Sequence, residues 1–253
     1  MLELNKIHLG DCLEKMKYID DKSIDMILCD LPYGTTACKW DVIIPFEPLW
    51  EQYKRIIKDN GAIVLFGSEP FSSYLRLSNI KNYKYDWKWD KKGTGGFLNA
   101  KKRPLKRYED VIIFSYGKPL YYPIKEIRGK PRNKGSYNKK KDDGDMVYGK
   151  FKNISSFNNE YYPTDIIEIS NAVNKGKIHP TQKPVALCEY LIKTYTNKRD
   201  TILDNCIGSG TTAIACINTD RNFIGIEKEP KYFEIACKRV SEQKKQETIF
   251  DLI

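Results

Sequence analysis

Residues 24–33 read Ile-Asp-Met-Ile-Leu-Cys-Asp-Leu-Pro-Tyr, an apolar run that ends in an acid, a proline and an aromatic ring. The apolar part has the length of a short strand buried on both faces of a parallel sheet. Open α/β sheets bind their ligands beyond the carboxyl ends of such strands. The carboxylate of Asp30 and the carbonyl of Leu31 can accept hydrogen bonds from an amine, while Pro32 stiffens the turn and Tyr33 offers a stacking surface. The stretch therefore predicts either a ligand site or, if nothing else in the chain supports one, an ordinary loop.

The composition is that of a globular protein with a basic surface. The chain has 253 residues, 41% apolar and 30% charged, enough for one large α/β domain with an insertion or for two small domains. No apolar run approaches the ~18 residues of a membrane span, and the amino terminus lacks the features of a signal peptide. The seven cysteines form no Cys-x-x-Cys pair, which predicts buried free thiols in a reducing compartment and no metal site. The net charge of +10 indicates a polyanionic partner or merely a basic solvated surface.

Strands and helices alternate through the first ninety residues. The apolar patterns predict strands at residues 7–9, 26–29, 62–66 and 83–89, and helices at residues 13–18, 46–58 and 71–78. This alternation predicts a mainly parallel sheet. Asp11 follows the first strand, where its carboxylate could accept a hydrogen bond from a nucleotide or could cap the helix that begins next.

Two basic segments interrupt this alternation. Residues 90–107 combine three glycines with a run of lysines and arginines, and we expect a mobile basic loop before a strand at residues 111–116. Residues 118–177 contain few apolar runs, which predicts an insertion outside the sheet with a strand only at residues 165–169. Their cations could neutralise nucleic-acid phosphates, or the segment could be a solvated loop.

The carboxyl-terminal part contains a nucleotide-binding pattern. A helix is predicted at residues 185–196. It is followed by a strand at 201–203, a glycine-rich turn, a helix at 213–219 and a strand at 222–226 that leads to Glu227. A last helix is predicted at residues 232–247. Glycines in such a turn let the backbone approach a ligand, and an acid after the second strand can hold ribose hydroxyls. The sequence has no Gly-Lys-Ser/Thr phosphate loop, which argues against ATP hydrolysis.

Three motifs together resemble one family. Residues 203–212, Leu-Asp-Asn-Cys-Ile-Gly-Ser-Gly-Thr-Thr, resemble the S-adenosylmethionine turn Asp-Pro-Phe-x-Gly-Ser-Gly-Thr-Thr of methyltransferases, and residues 30–33 resemble the catalytic Asp-Pro-Pro-Tyr. With His-Pro-Thr-Gln-Lys-Pro at 179–184, the chain resembles a β-group DNA amino-methyltransferase, in which the catalytic half comes first. The resemblance implies a Rossmann-like, doubly wound, mainly parallel sheet of seven strands. It divides the chain into a catalytic half (1–117), a basic target-recognition insertion (118–178) and a cofactor-binding half (179–253).

The resemblance also assigns roles to residues of this sequence. Asp30 and the Leu31 carbonyl would bind the target amine, Pro32 would shape the turn, and Tyr33 would stack on a base flipped out of the duplex. The residues implied for S-adenosylmethionine are Asp11 at the adenine amine, Glu227 at the ribose, Asp204, Gly208, Gly210 and Thr211 along the methionine part, and Thr181 and Lys183 near its carboxylate. Cys12 and Cys206 are also implied to lie beside the cofactor. The chain departs from the family pattern at Leu31, Asn205 and Cys206.

The implied reaction is methyl transfer to adenine N6 in a specific sequence of double-stranded DNA. Asp30 favours adenine, because enzymes that act on cytosine N4, the alternative target, often carry serine at this position. The Pro-Cys dipeptide of cytosine C5 enzymes is absent from the sequence. An RNA or protein-glutamine methyltransferase, a non-catalytic DNA-binding module and a nicotinamide-dependent oxidoreductase account for fewer of the motifs. The resemblance places the protein in the cytoplasm of a prokaryote or a phage-infected cell. It leaves open a homodimer and a cognate restriction enzyme, and implies no membrane partner.

Overall fold

The computed structural model describes residues 2–36, 38, 41–134, 156–171 and 182–250, with side chains as far as residue 246. The chain divides into two compact units, which are considered separately: a larger one made of Met1–Tyr122 and Asp165–Ile253, and a smaller one, Pro123–Thr164. No helix in the described ranges is both long enough and apolar enough to span a bilayer.

The strands and helices follow each other in nearly the predicted order. The strands are β1 (Lys6–Leu9), β2 (Ile24–Cys29), β3 (Ile57–Gly67), β4 (Tyr83–Gly95), β5 (Lys106–Phe114), β6 (Glu126–Lys134), β7 (Ser156–Tyr161), β8 (Ile166–Glu168), β9 (Thr201–Asp204) and β10 (Asn222–Glu227). The helices are α1 (Cys12–Met16), α2 (Phe46–Ile56), α3 (Phe71–Ser78), α4 (Val185–Tyr195), α5 (Thr211–Asn218) and α6 (Pro230–Phe250).

The larger unit is built on one mixed sheet with the strand order β1-β10-β9-β2-β3-β5-β4-β8. Five neighbouring pairs are parallel, and β5 is antiparallel to both β3 and β4. The mainly parallel α/β fold is therefore confirmed, with eight strands instead of seven. The additional strand is β8, which was predicted to lie outside the sheet but pairs with β4.

Helices cover both faces of this sheet, as the continuous apolar strands predict. Met26 and Leu28 of β2 face a core shared with α4 and α5, whereas Ile27 and Cys29 face a core shared with α2 and α3. These four side chains of β2 are fully buried. The cysteines are free, as expected, but three are not fully buried: Cys38 is exposed, and Cys206 and Cys237 are partly buried.

A longer hairpin and an additional strand pair replace segments that were predicted to be loops. β4 continues to Gly95 and pairs with β5 as far as Lys106, so that only the tip of the expected basic loop lies outside the sheet. In the smaller unit β6 and β7 form an antiparallel pair where no strand was expected. The residues of both extensions are largely exposed, so neither shows the apolar alternation from which strands are recognised.

Candidate active site

The carboxyl ends of four parallel strands meet at one edge of the sheet and enclose a cavity. The strands are β1, β10, β9 and β2, which are adjacent in the sheet. The cavity has a volume of about 480 Å³, within the usual range for small-molecule sites. Twelve of the residues singled out in the sequence line it: Asp11, Cys12, Asp30, Leu31, Pro32, Tyr33, Lys183, Asp204, Cys206, Gly208, Thr211 and Glu227. The fold thus brings together residues from both ends of the chain.

Asp30 lies directly after β2, and both of its carboxylate oxygens accept hydrogen bonds. The Tyr33 hydroxyl donates to Oδ1 at 2.7 Å, and the Lys183 ammonium donates to Oδ2 at 2.6 Å. Burial raises the pKa of Asp30 above its ordinary value, while the positive charge of Lys183 opposes that rise. Burial also raises the pKa of Tyr33 well above its ordinary value, so its phenol is a donor at neutral pH.

Lys183 joins Asp30 to a second acid that the sequence reading did not identify. Its Nζ lies 3.3 Å from Oε2 of Glu109, which is near the start of β5 and also pairs with Lys91 at 3.1 Å. Burial acts to raise the pKa of Glu109, but the charges of Lys183 and Lys91 outweigh it and lower that pKa. The two acids in turn raise the pKa of Lys183 against its own burial. The only sequence signal for Glu109 was an acid immediately before an apolar strand.

The turn after Asp30 is held by packing and by one further acid. Leu31 is 3% exposed and its side chain lies in the core between the sheet and α2. The Tyr33 ring stacks on Phe71 with a centroid distance of 4.8 Å, so one of its faces is already covered. Asp41 accepts hydrogen bonds from the backbone N–H groups of residues 34, 35 and 36. Burial acts to raise the pKa of Asp41, but these hydrogen bonds outweigh it and lower that pKa. The same bonds fix the loop beside the cavity.

The glycine-rich turn after β9 is organised by Asp204. Its Oδ1 accepts from the Cys206 N–H at 3.1 Å, and its Oδ2 accepts from the Thr212 hydroxyl at 2.6 Å. Burial raises the pKa of Asp204 to about 7. Asn205, which departs from the family pattern, accepts a 2.6 Å hydrogen bond from Tyr53 of α2 and so ties the turn to the neighbouring helix.

Two buried polar atoms at the cavity have neither a hydrogen-bond partner nor an ion-pair partner within the described part of the chain. They are the hydroxyl oxygen of Thr211, the first residue of α5, and the amide oxygen of Gln182. A buried polar group without a partner costs free energy, so such atoms usually have a ligand or water. Both residues line the cavity, which fits a polar ligand bound there.

The opposite end of the cavity carries two carboxylates. Glu227 is the last residue of β10 and accepts from the backbone N–H groups of Gly208 and Glu229, each at 2.8 Å. Burial raises its pKa, although these hydrogen bonds partly offset that effect. Asp11 caps α1 by accepting from the Leu13 N–H at 3.0 Å, and its Oδ2 lies 3.6 Å from Nζ of Lys228.

Two of the predicted site residues are not placed at the cavity. Gly210 does not line it; it precedes α5 with φ +84°, and a Cβ at this position would lie 3.1 Å from the Cβ of Ala236 in α6. Its position is explained by backbone conformation and close helix packing. Thr181 lies outside the described residues.

Comparison with known proteins agrees with this arrangement. The model of a DNA methylase family, N6_N4_Mtase, matches residues 24–238. The Type II methyltransferase M.HinfI of Haemophilus influenzae is 28% identical over 281 aligned residues, which cover 99% of this chain and 72% of the relative.

Two solved structures share the fold. The crystal structure of the M1.HpyAVI–SAM complex has a TM-score of 0.63 at 27% identity and covers 93% of this chain and 98% of that chain. The cytosine-N4-specific PvuII DNA methyltransferase has a TM-score of 0.65 over 94% of this chain and 90% of that chain, but at 16% identity the likeness concerns the fold alone. Because the family match extends over most of the chain, the protein belongs to the N6/N4 DNA methylases and is a β-group DNA amino-methyltransferase.

Proposed function

We propose that this protein transfers a methyl group from S-adenosylmethionine to the N6 amine of an adenine flipped out of double-stranded DNA. The observation that carries the proposal is a single cavity that joins the Asp30–Tyr33 turn to the Asp204–Thr211 turn and Glu227. One turn presents acceptors for an amine, and the other presents a glycine-rich helix start. A shared cavity allows the two reactants to be held next to each other, which is the main requirement of a direct transfer.

S-adenosylmethionine supplies an electrophilic methyl group on a sulfonium centre. The residues that would hold it occupy the two ends of the cavity. Glu227 and Asp11 offer carboxylate oxygens to the ribose hydroxyls and the adenine amine. Thr211 and Gln182 offer the unpartnered buried oxygens to the methionine part, with Gly208 leaving room for the ligand to approach. Thr181 and Cys12 complete the proposed set.

Asp30 and the Leu31 carbonyl are the proposed acceptors for the two N–H groups of the target amine. The amine lone pair is delocalised into the base ring, and hydrogen bonds at both N–H groups favour the tetrahedral nitrogen that can attack. Each carboxylate oxygen has two acceptor sites, so Asp30 can bind the amine while it keeps Lys183. The carboxylate also stabilises the positive charge that develops on the nitrogen. Pro32 fixes the turn, and Tyr33 stacks on the base through the ring face that Phe71 does not cover.

Lys183 has a different proposed role from the one that the resemblance implied. Its ammonium contacts Asp30 and Glu109, and it is 9% exposed. By stabilising the ionised form of Asp30 against burial, it keeps the carboxylate ready to accept. Lys183 is thus a positioning residue for Asp30, and contact with the methionine carboxylate is not needed to account for it.

Sequence recognition is assigned to the basic insertion at residues 118–178. Three cations of β6 surround the ring of Tyr161 in β7: Arg128 and Arg132 lie 5.3 Å and 5.6 Å from its centroid, and Lys134 lies 3.7 Å away. Such clusters suit phosphate contacts, and the polar side chains between them suit base edges. Lys139, Lys140 and Lys141 lie outside the described residues.

Methylation of DNA by the purified protein tests the proposal. Labelled S-adenosylmethionine is supplied with DNA, RNA or protein in parallel, and the methylated DNA is digested and analysed by mass spectrometry. We expect N6-methyladenine, with sequencing of modified bases giving the recognition site. Asp30→Asn should abolish transfer, whereas the exposed Asp59→Asn should not. N4-methylcytosine as the sole product would reject the adenine assignment, and label only in RNA or protein would reject DNA as the substrate.

Three finer proposals concern partners and location. A homodimer would appear in light scattering of the purified protein at micromolar concentration. A cognate restriction enzyme would cut the recognition site only in DNA where this site is not methylated. A cytoplasmic location, in a prokaryote or a phage-infected cell, follows from the need to reach DNA and would be tested by cell fractionation.

A further inference from the structure

The hairpin between β4 and β5 ends in two apolar side chains that the fold leaves uncovered. Phe97 is 67% exposed and Leu98 is 101% exposed, the highest value among the large apolar residues described. They lie in a short 3-10 turn, Phe97–Asn99, which is reached through Gly96 at φ +86°. Hydrogen bonds from the Asn99 and Arg103 N–H groups close this turn. The two side chains are thus presented on a defined turn, with no core residue to cover them.

The hairpin begins at the rim of the cavity and continues away from it. Trp89 and Glu109 are paired in the β4–β5 ladder, and both line the cavity. From there the ladder extends to Gly95, a span of at most about 17 Å beyond Asp90 at 3.3 Å per residue. Lys106, which pairs with Gly95 at the outer end of the ladder, contacts the Ser68 hydroxyl just after β3 and so ties the hairpin to the sheet. The tip therefore lies beyond the site, where it can reach the nucleic acid around a base bound inside.

The charge around the tip identifies the partner. Residues 91–108 contain no acid and seven cations, which are Lys91, Lys92, Lys101, Lys102, Arg103, Lys106 and Arg107. Within the described ranges, no carboxylate pairs with the three that directly follow the turn, Lys101, Lys102 and Arg103. An apolar tip flanked by unpaired cations suits a polyanion with stacked apolar planes, which is duplex DNA. The tip of a second copy of this chain carries the same cations and would be repelled from this one.

We propose that Phe97 and Leu98 form a wedge that inserts between base pairs beside the extruded target base. Insertion would occupy space that opens when the base leaves the stack, and Lys101, Lys102 and Arg103 would hold the adjacent phosphates. The wedge stabilises the extruded state and adds no group to the chemical step. This inference rests on the proposed function, since it requires a base bound in the cavity.

Rates of methylation on two duplexes test the wedge. Both carry the site identified by sequencing; in one the target base is normally paired, and in the other it lies opposite an abasic position and costs little to extrude. For the double variant Phe97→Ala/Leu98→Ala we expect about a tenfold slower single turnover on the paired duplex, as for loss of one base-stacking contact. On the abasic duplex we expect a rate within about twofold of the wild type. The fluorescence of 2-aminopurine at the target position should fall in parallel with the paired-duplex rate.

The matched control is Leu77→Ala, which removes an equally exposed side chain (71%) from α3 and should leave both rates unchanged. Equal rate losses on the two duplexes, or no loss on either, would overturn the wedge while leaving the proposed function intact. Loss of a dimer in size-exclusion chromatography with unchanged methylation would also overturn it, because the tip would then be an interface between copies. If the wild type methylates neither duplex, the proposed function fails first.

Discussion

The ammonium of Lys183 lies 2.6 Å from Oδ2 of Asp30, although the two residues are 153 positions apart in the sequence. Lys183 precedes α4, whereas Asp30 follows β2, so the contact joins the two halves of the methyltransferase unit at the carboxyl edge of the sheet. Glu109 of β5 completes the cluster. One lysine therefore serves two buried acids, and the ionisation of Asp30 depends on a residue from the other half of the chain.

Replacing Lys183 should shift the pH dependence of catalysis. In Lys183→Met, burial would raise the pKa of Asp30 without the opposing charge, and Asp30 must be ionised to accept the amine. Activity should therefore be lost on lowering the pH at a higher value than in the wild type, with kcat at pH 7 reduced at least ~10-fold. The measurement is the pH profile of kcat, with thermal unfolding to establish that the variant is folded. Lys91 contacts Glu109 but not Asp30, so Lys91→Met should leave the acid limb of the pH profile nearly unchanged. An unshifted acid limb in Lys183→Met would contradict the role proposed for Lys183.

The elements that form the site were predictable where burial shapes the sequence. The strands that end at Asp30 and Asp204 are continuous apolar runs, and the turns that follow them carry recognisable motifs. The outer extension of the β4–β5 hairpin and the β6–β7 pair were not predictable, because strand segments exposed on both faces have no apolar alternation. Glu109 was missed for another reason: a charge cluster built from three distant positions has no local pattern, and only the fold brings its members together.

Gly210 is predicted to be required for packing instead of ligand contact. Gly210→Ala must adopt φ +84° and places its Cβ 3.1 Å from that of Ala236. Gly96 has a similar φ of +86°, but a Cβ added there would have no atom within 4 Å, so Gly96→Ala reports the backbone strain alone. We expect Gly96→Ala to reduce the free energy of unfolding by about 1–2 kcal/mol. Gly210→Ala should cost a further ~1–3 kcal/mol from overpacking. Urea denaturation measures both, and equal losses would show that the helix contact is unimportant.

The buried carboxyl of Asp204 should make the protein more stable at mildly acid pH. Its pKa is about 7 in the folded protein against an ordinary value of 3.8, so between these values the folded state holds a proton that the unfolded state has released. The stabilisation is complete below the unfolded pKa and is lost as the pH rises through the folded pKa. From pH 5 to pH 7 this group should reduce the free energy of unfolding by about 2 kcal/mol. Asp204→Asn mimics the protonated form, so it should lack this part of the dependence in urea denaturation; the same slope in both proteins would assign the titration elsewhere.

Thr211 and Thr212 are neighbours with opposite expected effects. The Thr211 hydroxyl is buried without a partner in the described structure, whereas the Thr212 hydroxyl donates to Asp204 at 2.6 Å. Thr211→Val should therefore leave the free energy of unfolding without ligand nearly unchanged and weaken S-adenosylmethionine binding about tenfold, the effect of one lost hydrogen bond. Thr212→Val should instead lower the free energy of unfolding by about 1–3 kcal/mol, because it strands the buried Asp204 carboxyl. Calorimetric titration gives the affinity and urea denaturation the stability. If Thr211→Val bound the cofactor as tightly as the wild type, its hydroxyl would have no part in the site, and the amide oxygen of Gln182 would remain as the unpartnered acceptor for the methionine end.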